Sequence, residues 1–272
     1  MSAAPLSVQY RTAFVTGAST GLGLAFATML RAEGVEVWGT ARDVARLPAG
    51  ERFHPVALEL GDGAAAERAF LEAERAAGGF DLVINNAGFG VFGDFAATDF
   101  AVWQRQFEVM LVSTARLSHA ALRGFRARGR GTLVNVSSLA AEYPMPYQSV
   151  YNAVKSGLSA LNESLMFETA GTGIVIIDLR PGDYRTDFEG SVQRPSPSED
   201  AGQQRVWAAF QRLMASGPAP DHAAATLRRA LQRGRSGTVR TGRVFQAVIA
   251  PFLARFGSLA LRRRIIASYF DL

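Results

Sequence analysis

Short runs of apolar, mostly β-branched residues recur along the chain at 12–16, 35–39, 54–60, 81–85, 132–136 and 173–179. Longer stretches with apolar positions at helical spacing lie among them, at 22–33, 64–77, 98–128 and 149–170. Strand and helix in alternation require crossover connections, which predicts a doubly wound α/β fold with a parallel sheet and helices on both faces. Sheets of this kind bind ligands at the carboxyl ends of their strands, so polar residues just after a strand are the candidates for function. Beyond residue 179 the pattern changes. "RPGDYRTDFEGSVQRPSPSED" is a long Pro, Gly and Ser-rich segment that predicts a lid. Helical spacing returns at 203–215 and 221–232, "TVRTGRVF" offers a last strand, and the rest mixes apolar and Arg positions as a helical C-terminal extension.

Composition narrows this picture. At 272 residues and 48% apolar, the chain suits a single domain, 1–272. It has no cysteine and three scattered histidines, His54, His119 and His222, which excludes a thiolate nucleophile and predicts no metal site. The first residues lack a basic start followed by an apolar run, so a cytoplasmic protein is the expectation. The tail stretch "VFQAVIAPFLA" is interrupted by Pro251 and falls short of the roughly 20 residues that span a bilayer. Its arginines form either a solvated face on a packed tail or a peripheral membrane contact.

A net charge of +5 invites a nucleic-acid reading, but the arginines are dispersed instead of forming one stripe with aromatics, so no nucleic-acid partner is expected. Among 29 basic residues there is one lysine, Lys155. A compact ammonium can sit beside a phenolic oxygen where a planar guanidinium would not, and Lys155 lies four residues after Tyr151.

Five short stretches carry candidate chemistry. "VTGASTGLG" leaves the first strand and enters a helix; Gly17, Gly21 and Gly23 allow a tight turn and close approach, and the helix N-terminus offers N–H groups to a pyrophosphate. "GASTG" also matches the G-x-S-x-G nucleophile elbow with Ser19 as nucleophile, but its place at the end of the first strand argues against a serine hydrolase. At the end of the second strand Ala41 and Arg42 stand where an acidic residue would select NAD, and this favours NADP. "NNAGFG" after the fourth strand lets Asn85 and Asn86 tie the strand end to its neighbours, while Ala87 and Gly88 leave room for a ligand. Ser138 ends the fifth strand in "VNVSS", and Tyr151 and Lys155 share a helix face at i, i+4.

In this order and at these separations, "TGASTGLG", "NNAG", "VNVSS", "YNAVK" and "RPGDYRT" resemble the short-chain dehydrogenase/reductase family. The similarity covers residues 10–190 as a cofactor-binding and catalytic core, with 187–272 as substrate lid and C-terminal extension. "VWGTARD", the "NAGFGVFG" loop and the long C-terminal part are most similar to members acting on lipophilic alcohols and ketones, such as 17β-hydroxysteroid or retinol dehydrogenases. The resemblance implies a Rossmann-like fold and NADP(H) in preference to NAD(H). It implies Tyr151 as acid and base, Lys155 lowering the pKa of the tyrosine and holding the nicotinamide ribose, and Ser138 bonding the developing alkoxide. It further implies cofactor contacts at Gly17, Ser19, Thr20, Gly21, Leu22, Gly23, Arg42, Leu60, Asn86, Ala87, Gly88, Pro181, Gly182 and Thr186, a small carbonyl or alcohol substrate, and a homodimer or homotetramer through the helices at 98–128 and 149–170. Phe89, Val91, Phe92, Tyr143, Met145 and Phe188 are the candidate apolar pocket, with Tyr147 at its entrance.

Three positions depart from the family's pattern. Glu59 in "LELGD" replaces a common Asp near the adenine, and Tyr184 replaces a common aliphatic residue. Met110 in "FEVMLVS" stands where the family has an Asn that helps hold a water linked to the lysine. Asn135 is no substitute, because it lies inside the strand. Met110 therefore keeps a second reading open, a non-catalytic NADP(H)-binding regulatory protein on the same fold.

Overall fold

The computed structural model describes residues 4–195, 200–249, 251, 258–270 and 272; the rest of the 195–200 segment and of the 249–258 stretch in the predicted lid and tail lies outside the described residues. Seven strands form one parallel sheet in the order β3-β2-β1-β4-β5-β6-β7. They are β1 (Thr12–Val15), β2 (Glu36–Ala41), β3 (Phe53–Ala57), β4 (Leu82–Asn85), β5 (Gly131–Val136), β6 (Ile174–Pro181) and β7 (Gly237–Thr241). The expected doubly wound fold is present as a single α/β domain.

Helices cover both faces. On one, α1 (Gly21–Ala32) packs against the later helix Pro220–Arg233 over a core that includes Val15, Phe26, Ile84 and Leu227. On the other lie α2 (Gly63–Ala77), α3 (Phe100–Phe107), α4 (Ser113–Arg128) and α5 (Ser149–Glu168), over Phe14, Phe70, Phe80 and Leu133. Helix α6 (Ala201–Ala215) and a tail helix, Leu259–Tyr269, follow at the C-terminal side. The central strands are buried on both faces, as crossovers with helices on each side require.

The single helix expected at 98–128 is divided: α3 and α4 are joined by a π-helical turn, Glu108–Val112, which contains Met110. Turns of this type insert a residue into the ladder and are often found at functional sites. The strand expected at 54–60 ends at Ala57, and 58–60 runs on as loop.

Strand order reverses between β1 and β4, from which the chain winds outward in both directions. A crevice opens beyond the carboxyl ends of the strands at such a point. Beneath it lies a buried polar chain. Asn85 Nδ2 donates to Asn135 Oδ1 at 2.9 Å, Asn135 Nδ2 to Asn162 Oδ1 at 2.7 Å, and Asn162 Nδ2 to Asp178 Oδ1 at 3.1 Å, while Ser137 Oγ donates to the same carboxylate oxygen. Connected networks of this kind fix side chains and strand ends in one arrangement, although Asn85 Oδ1 is buried without a partner among the described residues. Asn135 is spent on this structural chain.

Candidate active site

The loop between β1 and α1 has the backbone that its glycines allow. Gly17 and Gly21 have φ of 68° and 55°, in the left-handed region that favours glycine. Gly23 serves close packing: a Cβ there would lie 2.1 Å from the Gly17 carbonyl oxygen. Thr20, the N-cap of α1, makes no side-chain capping bond, so the first-turn N–H groups face the crevice without a side-chain acceptor from the cap. This cradle fits a dinucleotide pyrophosphate.

The loop is braced from β4. Asn86 N and Ala87 N both donate to Thr16 Oγ1, at 2.8 and 2.9 Å, and Asn86 Nδ2 donates to the Thr16 carbonyl at 3.0 Å. From the far side, Thr186 approaches Gly21, whose Cβ would sit 3.4 Å from Thr186 Cβ. One large cavity of about 1250 Å³ runs along this crevice. It is lined by Gly17, Ser19, Thr20, Gly21, Leu22, Arg42, Leu60, Asn86, Ala87, Gly88, Ser138, Tyr151, Lys155, Pro181, Gly182 and Thr186, all expected from sequence. Gly23 alone of that set is absent from the wall, being packed behind it.

Where β2 ends at the cavity a short turn, Val44–Arg46, brings a second guanidinium, Arg46, to the wall that Arg42 also lines. Asp43 is the adjacent carboxylate, and it accepts the Ala45 N–H at 3.0 Å as cap of that turn. Glu59 folds back to accept the Gly61 N–H at 2.8 Å.

At the other end Ser138, Tyr151 and Lys155 converge. Lys155 Nζ donates to the Val136 carbonyl at 2.8 Å and lies 5.6 Å from the Tyr151 ring centroid. The helical i, i+4 spacing aligns the two residues, and the end of β5 supplies the acceptor. Ser138 extends from the same strand end, where its hydroxyl accepts from Ala140 N at 3.0 Å, donates to the Pro181 carbonyl at 3.4 Å and bonds the Tyr151 phenol.

Burial dominates the electrostatics. It pushes the Tyr151 phenol up to about 12, partly offset by the Ser138 hydrogen bond and reinforced by the charge of Asp183. The expected lowering by Lys155 is therefore not the net result. Burial also pulls the Lys155 ammonium down to about 8, against the opposing pull of Asp178. Both groups are protonated at neutral pH.

Met110 is buried in the core and also lines the cavity, with its Cε 3.0 Å from where a Cβ on Gly88 would stand. It offers a thioether where an amide was expected.

Of the apolar candidates, Phe89, Tyr143, Met145 and Phe188 line the cavity. Val91 and Phe92 are instead fully buried; Phe92 packs on Tyr147 at 5.6 Å and on Trp207 at 5.0 Å between ring centroids. Tyr147 is held by that aromatic cluster and lies off the cavity wall, which corrects its assignment to the entrance. Tyr184 faces the core, its hydroxyl 2.6 Å from Thr241 Oγ1 and 2.9 Å from His222 Nδ1. Among the described residues no histidine lines the cavity, so Ser19 has no histidine base there to serve the elbow reading. Among the described residues, no group of three or more His, Cys, Asp or Glu is placed to hold a metal, and no helix is long and apolar enough to cross a membrane.

Sequence reasoning missed Asp183, Gln246, Ile266 and Tyr269 on the cavity wall. Asp183 lies inside the recognised "RPGDYRT" stretch, but the other three come from the tail, where only the fold brings them close.

Residues 11–196 match the model of the short chain dehydrogenase family. An uncharacterised oxidoreductase of Schizosaccharomyces pombe is 31% identical over 205 residues, covering 74% of this chain and 70% of its own length. A 3-oxoacyl-[acyl-carrier-protein] reductase of Vibrio cholerae is 30% identical, over 67% of this chain and 77% of that protein. The crystal structure of a short-chain dehydrogenase from Streptomyces avermitilis superposes with a TM-score of 0.81 at 28% identity, covering 96% of both chains. The fold, the glycine cradle and these likenesses agree: the chain belongs to the short-chain dehydrogenase family and is an NAD(P)-dependent oxidoreductase.

Proposed function

We propose that the chain interconverts a ketone and the matching secondary alcohol on a small lipophilic substrate, with NADP(H) preferred over NAD(H). The observation that carries this reading is the convergence of Ser138, Tyr151 and Lys155 on one wall of the cavity at the end of β5. The bound nicotinamide supplies the hydride for reduction and takes it up in oxidation.

Tyr151 gives its phenolic proton to the carbonyl oxygen as the alkoxide develops. Its phenol, raised by burial, is protonated throughout the neutral range and is ready to act as an acid. Lys155, charged below about pH 8, stabilises the phenolate left behind and holds the nicotinamide ribose. Ser138 bonds both the phenol and the oxyanion, orienting the proton transfer. Pro181, Gly182 and Thr186, on the cavity wall, would border the nicotinamide, the glycine cradle would take the pyrophosphate and Arg42 the extra phosphate of NADP.

Aromatic and thioether side chains on the wall, among them Phe89, Met145, Phe188 and Phe210, support a lipophilic substrate. Exposed Val244, Val248 and Leu259, together with exposed Arg263 and Arg264 in the same C-terminal extension, support peripheral membrane contact by the tail. Exposed Val112 and Phe167, on the turn before α4 and on α5, support a homo-oligomer through those helices.

The test is NADPH consumption with steroid, retinoid, 3-oxoacyl and sugar ketones. Turnover of the first three classes is expected; turnover confined to sugars contradicts the lipophilic assignment. Met110 favours a second reading, NADP(H) binding without catalysis. Tight NADPH binding with no turnover on any carbonyl, unchanged in Met110→Asn, would establish it.

A further inference from the structure

The cavity wall near Tyr151 combines apolar side chains with a few polar ones, among them the carboxyl group of Asp183. Asp183 follows Gly182 at the end of β6, and its side chain is met there by two groups from the C-terminal extension. Tyr269 donates its hydroxyl proton to Asp183 Oδ2 at 2.9 Å, and Gln246 Nε2 donates to the same oxygen. Gln246 Nε2 also contacts the Tyr269 hydroxyl, so three side chains separated by up to 86 residues close on one another.

Both bonds go to Oδ2. Among the described residues no hydrogen bond reaches Oδ1, and Asp183 lies on the cavity wall. No arginine forms an ion pair with it among the described residues; Arg243, whose charge acts on it from a distance, donates instead to the Ser216 carbonyl. Asp183 is close enough to Tyr151 for its charge to act on the phenol. A carboxyl oxygen thus lies on the cavity wall with no hydrogen-bond donor among the described residues, near the group that faces the reacting carbonyl. Leaving such an acceptor unpaired against an apolar ligand costs its desolvation, whereas a ligand donor removes that cost.

We propose that Asp183, fixed by Tyr269 and Gln246, is a specificity-determining residue that accepts a hydrogen bond from a hydroxyl group on the substrate near the reacting carbon. This rests on the ketone and alcohol reading above and narrows it: the substrate is a lipophilic ketone or alcohol carrying a second, neutral hydrogen-bond donor. The two groups already bonded to Asp183, the Tyr269 hydroxyl and the Gln246 amide, are neutral donors, and a substrate hydroxyl is a third of the same kind. The C-terminal extension then builds part of the substrate site.

The experiment measures NADPH-dependent reduction of matched ketone pairs that differ only in one hydroxyl within about four bonds of the carbonyl. The wild-type chain should prefer the hydroxylated member of at least one pair by about tenfold or more in kcat/KM. Asp183→Leu should erase that preference, so that the ratio of kcat/KM for the hydroxylated and plain members, measured within the variant, falls to about one. Preference for no hydroxylated member, or a preference that survives Asp183→Leu, overturns the proposal while leaving the ketoreductase reading intact. Should circular dichroism show Asp183→Leu unfolded, Asp183→Asn decides: a preference reduced about threefold or more supports the role, and an unchanged one overturns it. A wild-type chain that reduces no ketone overturns this proposal together with the reading beneath it.

Discussion

Lys155 Nζ lies 5.6 Å from the ring centroid of Tyr151 while it donates to the Val136 carbonyl at 2.8 Å, so one helix and one strand end hold the ammonium beside the phenol. The ammonium is pulled down to about 8 by burial. Below that value it carries the charge that steadies a phenolate and grips a ribose; above it the charge is lost in the folded protein. The kcat/KM for ketone reduction should therefore fall on the alkaline side with an apparent pKa near 8, and NADPH affinity should weaken over the same interval. Rate and fluorescence titrations across that range check both.

Arg42 and Arg46 line the cavity where β2 ends, and the nearby Asp43 caps its own turn. Losing one charge-assisted bond to a phosphate costs about 1.5–3 kcal/mol. Arg42→Ala should weaken NADPH about tenfold to a hundredfold and leave NADH nearly unchanged. Equal affinities for the two cofactors in wild type and variant would refute the preference.

Gly23 has no room for a side chain, since its Cβ would meet the Gly17 carbonyl oxygen at 2.1 Å. Gly23→Ala must push the loop off α1. The variant should lose about 1–3 kcal/mol of stability and bind both cofactors more weakly, as read by thermal unfolding and titration.

Met110 sits on the π-helical turn and faces the cavity beside Gly88. If proton resupply limits the rate, Met110→Asn should raise kcat several-fold with little change in KM, because an amide can hold a water where a thioether holds it poorly. A solvent isotope effect on kcat that shrinks in the variant is the accompanying sign.

Much of this was legible in the chain itself, for identifiable reasons. Parallel strands buried on both faces read as continuous apolar runs, and the glycines of the first loop answer to a backbone that few other residues tolerate. Local spacing put Tyr151 and Lys155 on one helix face. What escaped was non-local. Asn85, Asn135, Asn162 and Asp178 look unrelated until β4, β5, β6 and α5 come together, and nothing in the tail announces that Tyr269 meets Asp183. The π-helical turn at Met110 escaped because its apolar positions fit an ordinary helix well enough. Tyr147 was misread for a similar reason: its separation from Tyr151 suggests a shared side, but it stands before the helix at a φ of 59°, which turns it toward Phe92.

The account turns on Tyr151 as the acid. Steady-state NADPH consumption on the best lipophilic ketone, compared between wild type and Tyr151→Phe at matched cofactor saturation, tests it most directly. Positioned acid catalysis is worth roughly 10²–10⁴-fold, so kcat should fall by about that factor while NADPH affinity is retained. Full activity in Tyr151→Phe would contradict the mechanism.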